Sequence, residues 1–121
     1  PCSDGHMLIV PKRCVSRVWE LSLAEWLEIN AVCHTIASGN PDQEWNIGLN
    51  DGSTAGQTVP HVHLHMIPRT EGDVRDPRGG VDGLNPTKLD TGDFKSVYLS
   101  LTNRCLSVSF ISVIYQCIKL W

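Results

Sequence analysis

The spacing of apolar residues changes several times along the chain, and each change marks an element. Met7-Leu8-Ile9-Val10, introduced by Gly5 and closed by Pro11, reads as a short buried strand. From Leu23 the spacing becomes helical, with Leu23, Trp26, Leu27, Val32, Cys33 and Ile36 recurring at roughly 3.6 residues around Asn30. Ser22-Leu23-Ala24-Glu25 is a capping box and Gly39 a stop, so a helix is predicted over about 22–38. Trp45-Asn46-Ile47-Gly48-Leu49 alternates as a second strand. Residues 50–56 read as a turn, and His61-Val62-His63-Leu64-His65-Met66-Ile67 alternates again. The two strands and their Gly-rich connection make an antiparallel, hairpin-like unit, with Pro60 at the start of a strand where proline is tolerated. Residues 70–93 turn to Gly, Pro, Asp and Arg and read as loop. Residues 106–115 have β propensity and predict one more strand. There are no internal repeats.

Composition narrows the class without naming a function. At 121 residues the chain is large enough for one domain with a core. A net charge of −3 argues against a general nucleic-acid-binding surface, while leaving room for one small anionic ligand. Five cysteines with scattered spacing and no CxxC pair are no disulfide framework, so reduced thiols and a cytoplasmic location are expected. The polar start carries no signal peptide. It also lacks an initiator Met, which suggests that the natural N-terminus lies upstream. The apolar tail after Cys105 is short and broken by serines, so no membrane span is expected.

The histidines carry the chemistry. If 61–67 is a strand, His61, His63 and His65 share one face and Val62, Leu64 and Met66 the other. Neighbouring imidazoles then stand roughly 6.5–7 Å apart. Such a row can bind a metal, because imidazoles at i and i+2 are a common ligand pair, with Cys14 and His6 as conceivable further ligands. It can also bind and attack phosphate. A neutral imidazole presents a nucleophilic nitrogen, and a backbone carbonyl on the other nitrogen would fix its tautomer. Backbone N–H groups of the Gly52–Gly56 turn can ring an anion. The phosphate reading accounts for strand and turn together.

Residues Asn50-Asp51-Gly52-Ser53-Thr54-Ala55-Gly56-Gln57-Thr58-Val59-Pro60-His61-Val62-His63-Leu64-His65-Met66-Ile67-Pro68-Arg69 resemble the signature of the histidine-triad (HIT) family. Gly5-His6-Met7-Leu8-Ile9-Val10-Pro11-Lys12-Arg13 resembles the family's strand leading into its helix, and the 72–80 segment resembles bacterial-type members. The likeness covers about residues 3–81, which sets apart 82–121 as an atypical C-terminal segment of unknown role. It implies an α+β domain: an antiparallel sheet packed with one main helix, whose family N-terminal segment would precede residue 1. It also implies cleavage of nucleotides at the α-phosphate. By position, His63 would be the nucleophile that forms a nucleotidyl-histidine intermediate. His65 would contact the same phosphate, and His61 would support the network that orients His63. Asn50, Gly56, Gln57 and Thr58 match substrate-side positions, with loop orientation as an equal role for Gln57. His65 in the third place favours the hydrolases over the uridylyltransferases. Pro68-Arg69 favours the dinucleoside-polyphosphate hydrolase branch over the phosphoramidases. A homodimer is implied; no cofactor is required, and Mg²⁺ would enter only with substrate.

Two other readings remain: a catalytically impaired nucleotide-binding module, and a His-rich metal-binding domain. With no CxxC pair, structural zinc is not expected. Trp19, Trp26 and Trp45 read as core. His34 reads as structural or exposed, Asp73 and Asp76 as turn formers, and Arg69, Arg75 and Arg78 as solvated loop residues.

Overall fold

A computed structural model describes residues 5–76, residue 78 and residues 111–115. Gly5, at φ 83°, turns the chain into strand β1, Met7–Pro11, every residue of which is buried. A short 3-10 turn at Val18–Glu20 leads to helix α1, Leu23–Ser38. The predicted capping box is present: Ser22 Oγ accepts from Glu25 N, and the Glu25 carboxylate accepts from Ser22 N. Strand β2 follows at Glu44–Gly48, then β3 at Leu64–Arg69 and β4 at Ile111–Tyr115. The predicted strand at 106–115 is thus present over Ile111–Tyr115, while 106–110 and the expected domain boundary near residue 82 lie outside the described residues.

The four strands form one sheet in the order β2-β3-β1-β4, with antiparallel neighbours throughout. The fold is α+β, and β2 and β3 pair as the hairpin-like unit the alternation predicts. Register decides what each face carries. Met7 opposes Met66 and Ile9 opposes Leu64, so these four side chains share a face. That face, with Ile29 of α1 and Ile111 of β4, is the main core cluster. His65, opposite Leu8, stands on the reverse face.

Two expectations need correction. First, the helix does not bury all its apolar positions. Trp26, at 38 % exposure, and Leu23 and Leu27, at 73 % and 59 %, stand outward, as does Trp19 at 87 % in the preceding turn. The inward side is Ile29 with Val32, Cys33, Ile36 and Ala37. The helix has two apolar stripes, and only one meets the sheet. Trp45, by contrast, packs against the core cluster. Second, Arg69 is not solvated: its side chain is 10 % exposed, pairs with Asp73 and donates to Asn46 of β2. Asp73 also accepts from Thr70 N, closing the turn after β3. Arg78 pairs with Asp76 at the surface, and His34 is exposed on α1.

Candidate functional site

The histidine strand starts three residues later than the alternation predicts. β3 begins at Leu64, so only His65 sits in the ladder, while His61, Val62 and His63 form an irregular approach to it. The segment after β1 holds that approach. Val62 N donates to Val15 O at 2.8 Å, and the His61 ring reaches Pro11 O at 2.9 Å. A carbonyl can only accept, so His61 Nε2 carries the proton.

The same reasoning fixes His63. Its Nδ1 lies 2.7 Å from the His61 carbonyl oxygen and donates to it, so in the neutral ring Nε2 holds the lone pair. His61 therefore supports His63 through its backbone, while its own ring anchors the segment to the end of β1. His63 is buried, and its ring centroid stands 5.1 Å from that of His65 in an edge-on arrangement. The structure thus gathers all three histidines, two by ring contact and one through its carbonyl.

A fourth histidine completes the group. His6 Nε2 lies 2.9 Å from His65 Nδ1, with ring centroids 5.1 Å apart. The sequence alone offers His6 only as a further metal ligand. It reaches the site because it extends β1 one residue beyond Met7, on the face that Leu8 and His65 share. Strand parity in β1 was the available signal, but using it required knowing that β1 pairs with β3.

Burial shapes the electrostatics. Desolvation, then the nearby charge of His63, holds His6 down at about 4. Desolvation, with His63 and His6, holds His65 at about 3. Desolvation also lowers His61, against the opposing effect of its bond to Pro11. At neutral pH His6 and His65 are therefore uncharged, and a single proton bridges the close nitrogen pair.

The turn before the triad differs from expectation in one respect. Ser53–Ala55 is a 3-10 turn, with Gly52 and Gly56 at φ 97° and 89° on either side. Ala55 N and Gln57 N donate to Gly52 O, and Gly56 N donates to Ser53 O, each at 3.0 Å. Gly52 N donates to Gln57 Oε1 at 2.7 Å. These four N–H groups close the turn on itself instead of ringing an outside anion, because tight 3-10 winding takes up its own donors. The turn is clasped from outside by Asp51, which accepts from the Arg17 guanidinium and from Val18 N at 2.8 Å. Asn50 follows β2 soon after Gly48, which lies opposite His65. A side chain at Gly56 would meet the Asn50 amide nitrogen at 2.9 Å, so glycine is needed there for contact as well as for its positive φ. Thr58 lies exposed on the approach to His61. Among the described residues no three His, Cys, Asp or Glu side chains are grouped as a metal site, and no helix is long and apolar enough to cross a membrane.

The chain is similar to known proteins in sequence and in fold. A bis(5'-nucleosyl)-tetraphosphatase [asymmetrical] of Schizosaccharomyces pombe is 40% identical over 110 residues, covering 86% of this chain and 58% of the relative. The nitrilase and fragile histidine triad fusion protein NitFhit of Caenorhabditis elegans is 40% identical over 80 residues, covering 63% of this chain and 18% of the relative. The crystal structure of C. elegans NitFhit superposes with a TM-score of 0.55 at 34% identity, covering 84% of this chain and 23% of that one. The chain thus spans little more than half the length of the S. pombe relative and less of NitFhit. The family model described as HIT domain matches residues 1–72, and the chain belongs to that family.

Proposed function

We propose that this chain hydrolyses nucleotides at an α-phosphate through a nucleotidyl-histidine intermediate, with a dinucleoside polyphosphate as substrate. The observation that carries this is the 2.7 Å bond from His63 Nδ1 to the His61 carbonyl, which leaves Nε2 as the nucleophilic nitrogen. His63 Nε2 attacks the α-phosphorus, forming a P–N bond. The bridging P–O bond breaks, and the leaving polyphosphate oxygen takes the electron pair and departs as an anion, with the uncharged His65 against the phosphate. Water then attacks the same phosphorus and releases a proton to solvent. The P–N bond breaks, a nucleoside monophosphate departs, and His63 regains its lone pair. Asn50, Gly56 and Thr58 line the substrate side, with Gln57 holding the turn. No metal is needed to make this nucleophile; Mg²⁺ would arrive with the polyphosphate. The names of the S. pombe tetraphosphatase and of a Dictyostelium discoideum bis(5'-adenosyl)-triphosphatase, 38% identical over 77 residues, support the substrate class.

In this reading the protein is a cytoplasmic homodimer that binds neither membrane nor nucleic acid. The outward stripe of Leu23, Trp26 and Leu27 supports the dimer. The test is mass spectrometry after brief mixing with diadenosine tetraphosphate. An adduct of adenylyl mass on His63, absent in His63→Ala, is expected. Nucleotide binding without adduct or turnover would instead favour a binding module.

A further inference from the structure

Gln57 stands within the motif, and its side-chain amide is directed into the protein. Its Oε1 accepts from Gly52 N at 2.7 Å. Its Nε2 donates to Ser16 O at 2.9 Å and to His61 O at 3.3 Å. Both amide protons and the oxygen are thereby engaged. The His61 carbonyl that receives one of those protons is the same oxygen that accepts from His63 Nδ1. A carbonyl has two lone pairs, so both donors fit.

That peptide group sets the direction of the nucleophile. It lies before β3, so no ladder bond fixes its plane. Its N–H end, on Val62, is held by Val15 O, and its oxygen end is held by Gln57. Gln57 also grips Ser16, the residue after Val15, so the two attachments run side by side between the same two segments. At its other end Gln57 closes the 52–57 turn.

We propose that Gln57 is a positioning residue, which fixes the His61–Val62 peptide plane and thereby the tautomer and aim of His63, and couples them to the turn. This rests on the assignment of His63 as the nucleophile. Without Gln57 the carbonyl can rotate within its remaining attachments, and the Nε2 lone pair loses its aim. Misplacing a reacting atom by about an ångström costs on the order of 10²-fold in rate.

The test compares Gln57→Leu and Gln57→Glu with the parent chain on diadenosine tetraphosphate. Gln57→Glu keeps the acceptor for Gly52 N but places an oxygen against the Ser16 and His61 carbonyls, and it repeats the test if Gln57→Leu fails to fold. Roughly ten- to hundredfold lower kcat is expected in both, with KM within about threefold. The ¹⁵N shifts of the His63 ring should move toward a mixed tautomer. A rise in KM at unchanged kcat, with His63 shifts as in the parent, would make Gln57 a ligand contact and overturn the proposal. If the parent chain itself does not turn over, the reading of His63 as nucleophile fails; unmoved His63 ring shifts in both variants would then overturn the positioning role separately.

Discussion

The two faces of the sheet share the same strands and obey different rules. On one, Met7, Ile9, Leu64 and Met66 meet α1 and β4 in an apolar core. On the other, His6 and His65 contact one another and lie beside His63, and each imidazole must find a proton partner. Alternation lets a six-residue strand, Leu64–Arg69, serve both. The apolar face tolerates any well-packed shape. The histidine face depends on individual hydrogen bonds, among them the 2.7 Å contact that sets the His63 tautomer. At neutral pH one face should therefore govern stability and the other activity, with little crossover.

The sharpest way to break that division is to remove one group from each face. His63→Ala should lower hydrolysis of diadenosine tetraphosphate by about 10⁴-fold or more, since the proposed nucleophile has no substitute. Urea unfolding of this variant should move less than that of Met66→Ala. Met66 is fully buried, and truncating it should cost about 2–5 kcal/mol while kcat of the folded fraction stays near the parent value. If Met66→Ala instead abolished turnover in folded protein, the two faces would not be separable.

That division was only half legible in the sequence. Local signals served well: the Ser22–Glu25 box, the Gly5 turn and the continuous apolar run of β1 all lie where their chemistry predicts. The triad itself was plain, because spacing and residue type coincide. What failed depends on partners far along the chain. The strand start at Leu64 is set by Val15 and Pro11, some fifty residues away. His6 joins the site through the pairing of β1 with β3. The two apolar stripes of α1 look alike in sequence, and only packing shows that Ile29 faces the sheet while Leu27 does not.

The proton partnership of the histidine face also sets it apart from the core through pH. His6 and His65 titrate at about 4 and about 3 in the fold, against 6.5 for an ordinary imidazole. Folded-state values below the unfolded one mean that the unfolded chain takes up protons first. The stability they contribute is complete above pH 6.5 and is lost as pH falls through 4 and then 3. Urea midpoints should decline across that window, and His6→Gln should flatten the part that belongs to His6. NMR titration checks the cause directly: the His6 and His65 ring signals should hold still from pH 8 to about 5. Movement of both near pH 6.5 would mean that the pair is not desolvated.

The smallest effect is expected where an apolar residue contributes to neither face. Leu27 is 59 % exposed on the outward stripe of α1, beside Trp26. If that stripe serves only assembly, Leu27→Lys should change protomer stability by about 0.5 kcal/mol or less, as surface substitutions do. It should also shift the mass seen by light scattering from dimer to monomer. Because the histidine face lies across the sheet from α1, kcat per protomer should be retained in the monomer. A stability loss as large as that of Met66→Ala would place Leu27 in the core. A kcat lost together with the dimer would mean that the histidine face depends on a second copy. The contrast between the faces then no longer belongs to one protomer, because assembly as well as alternation would hold the site.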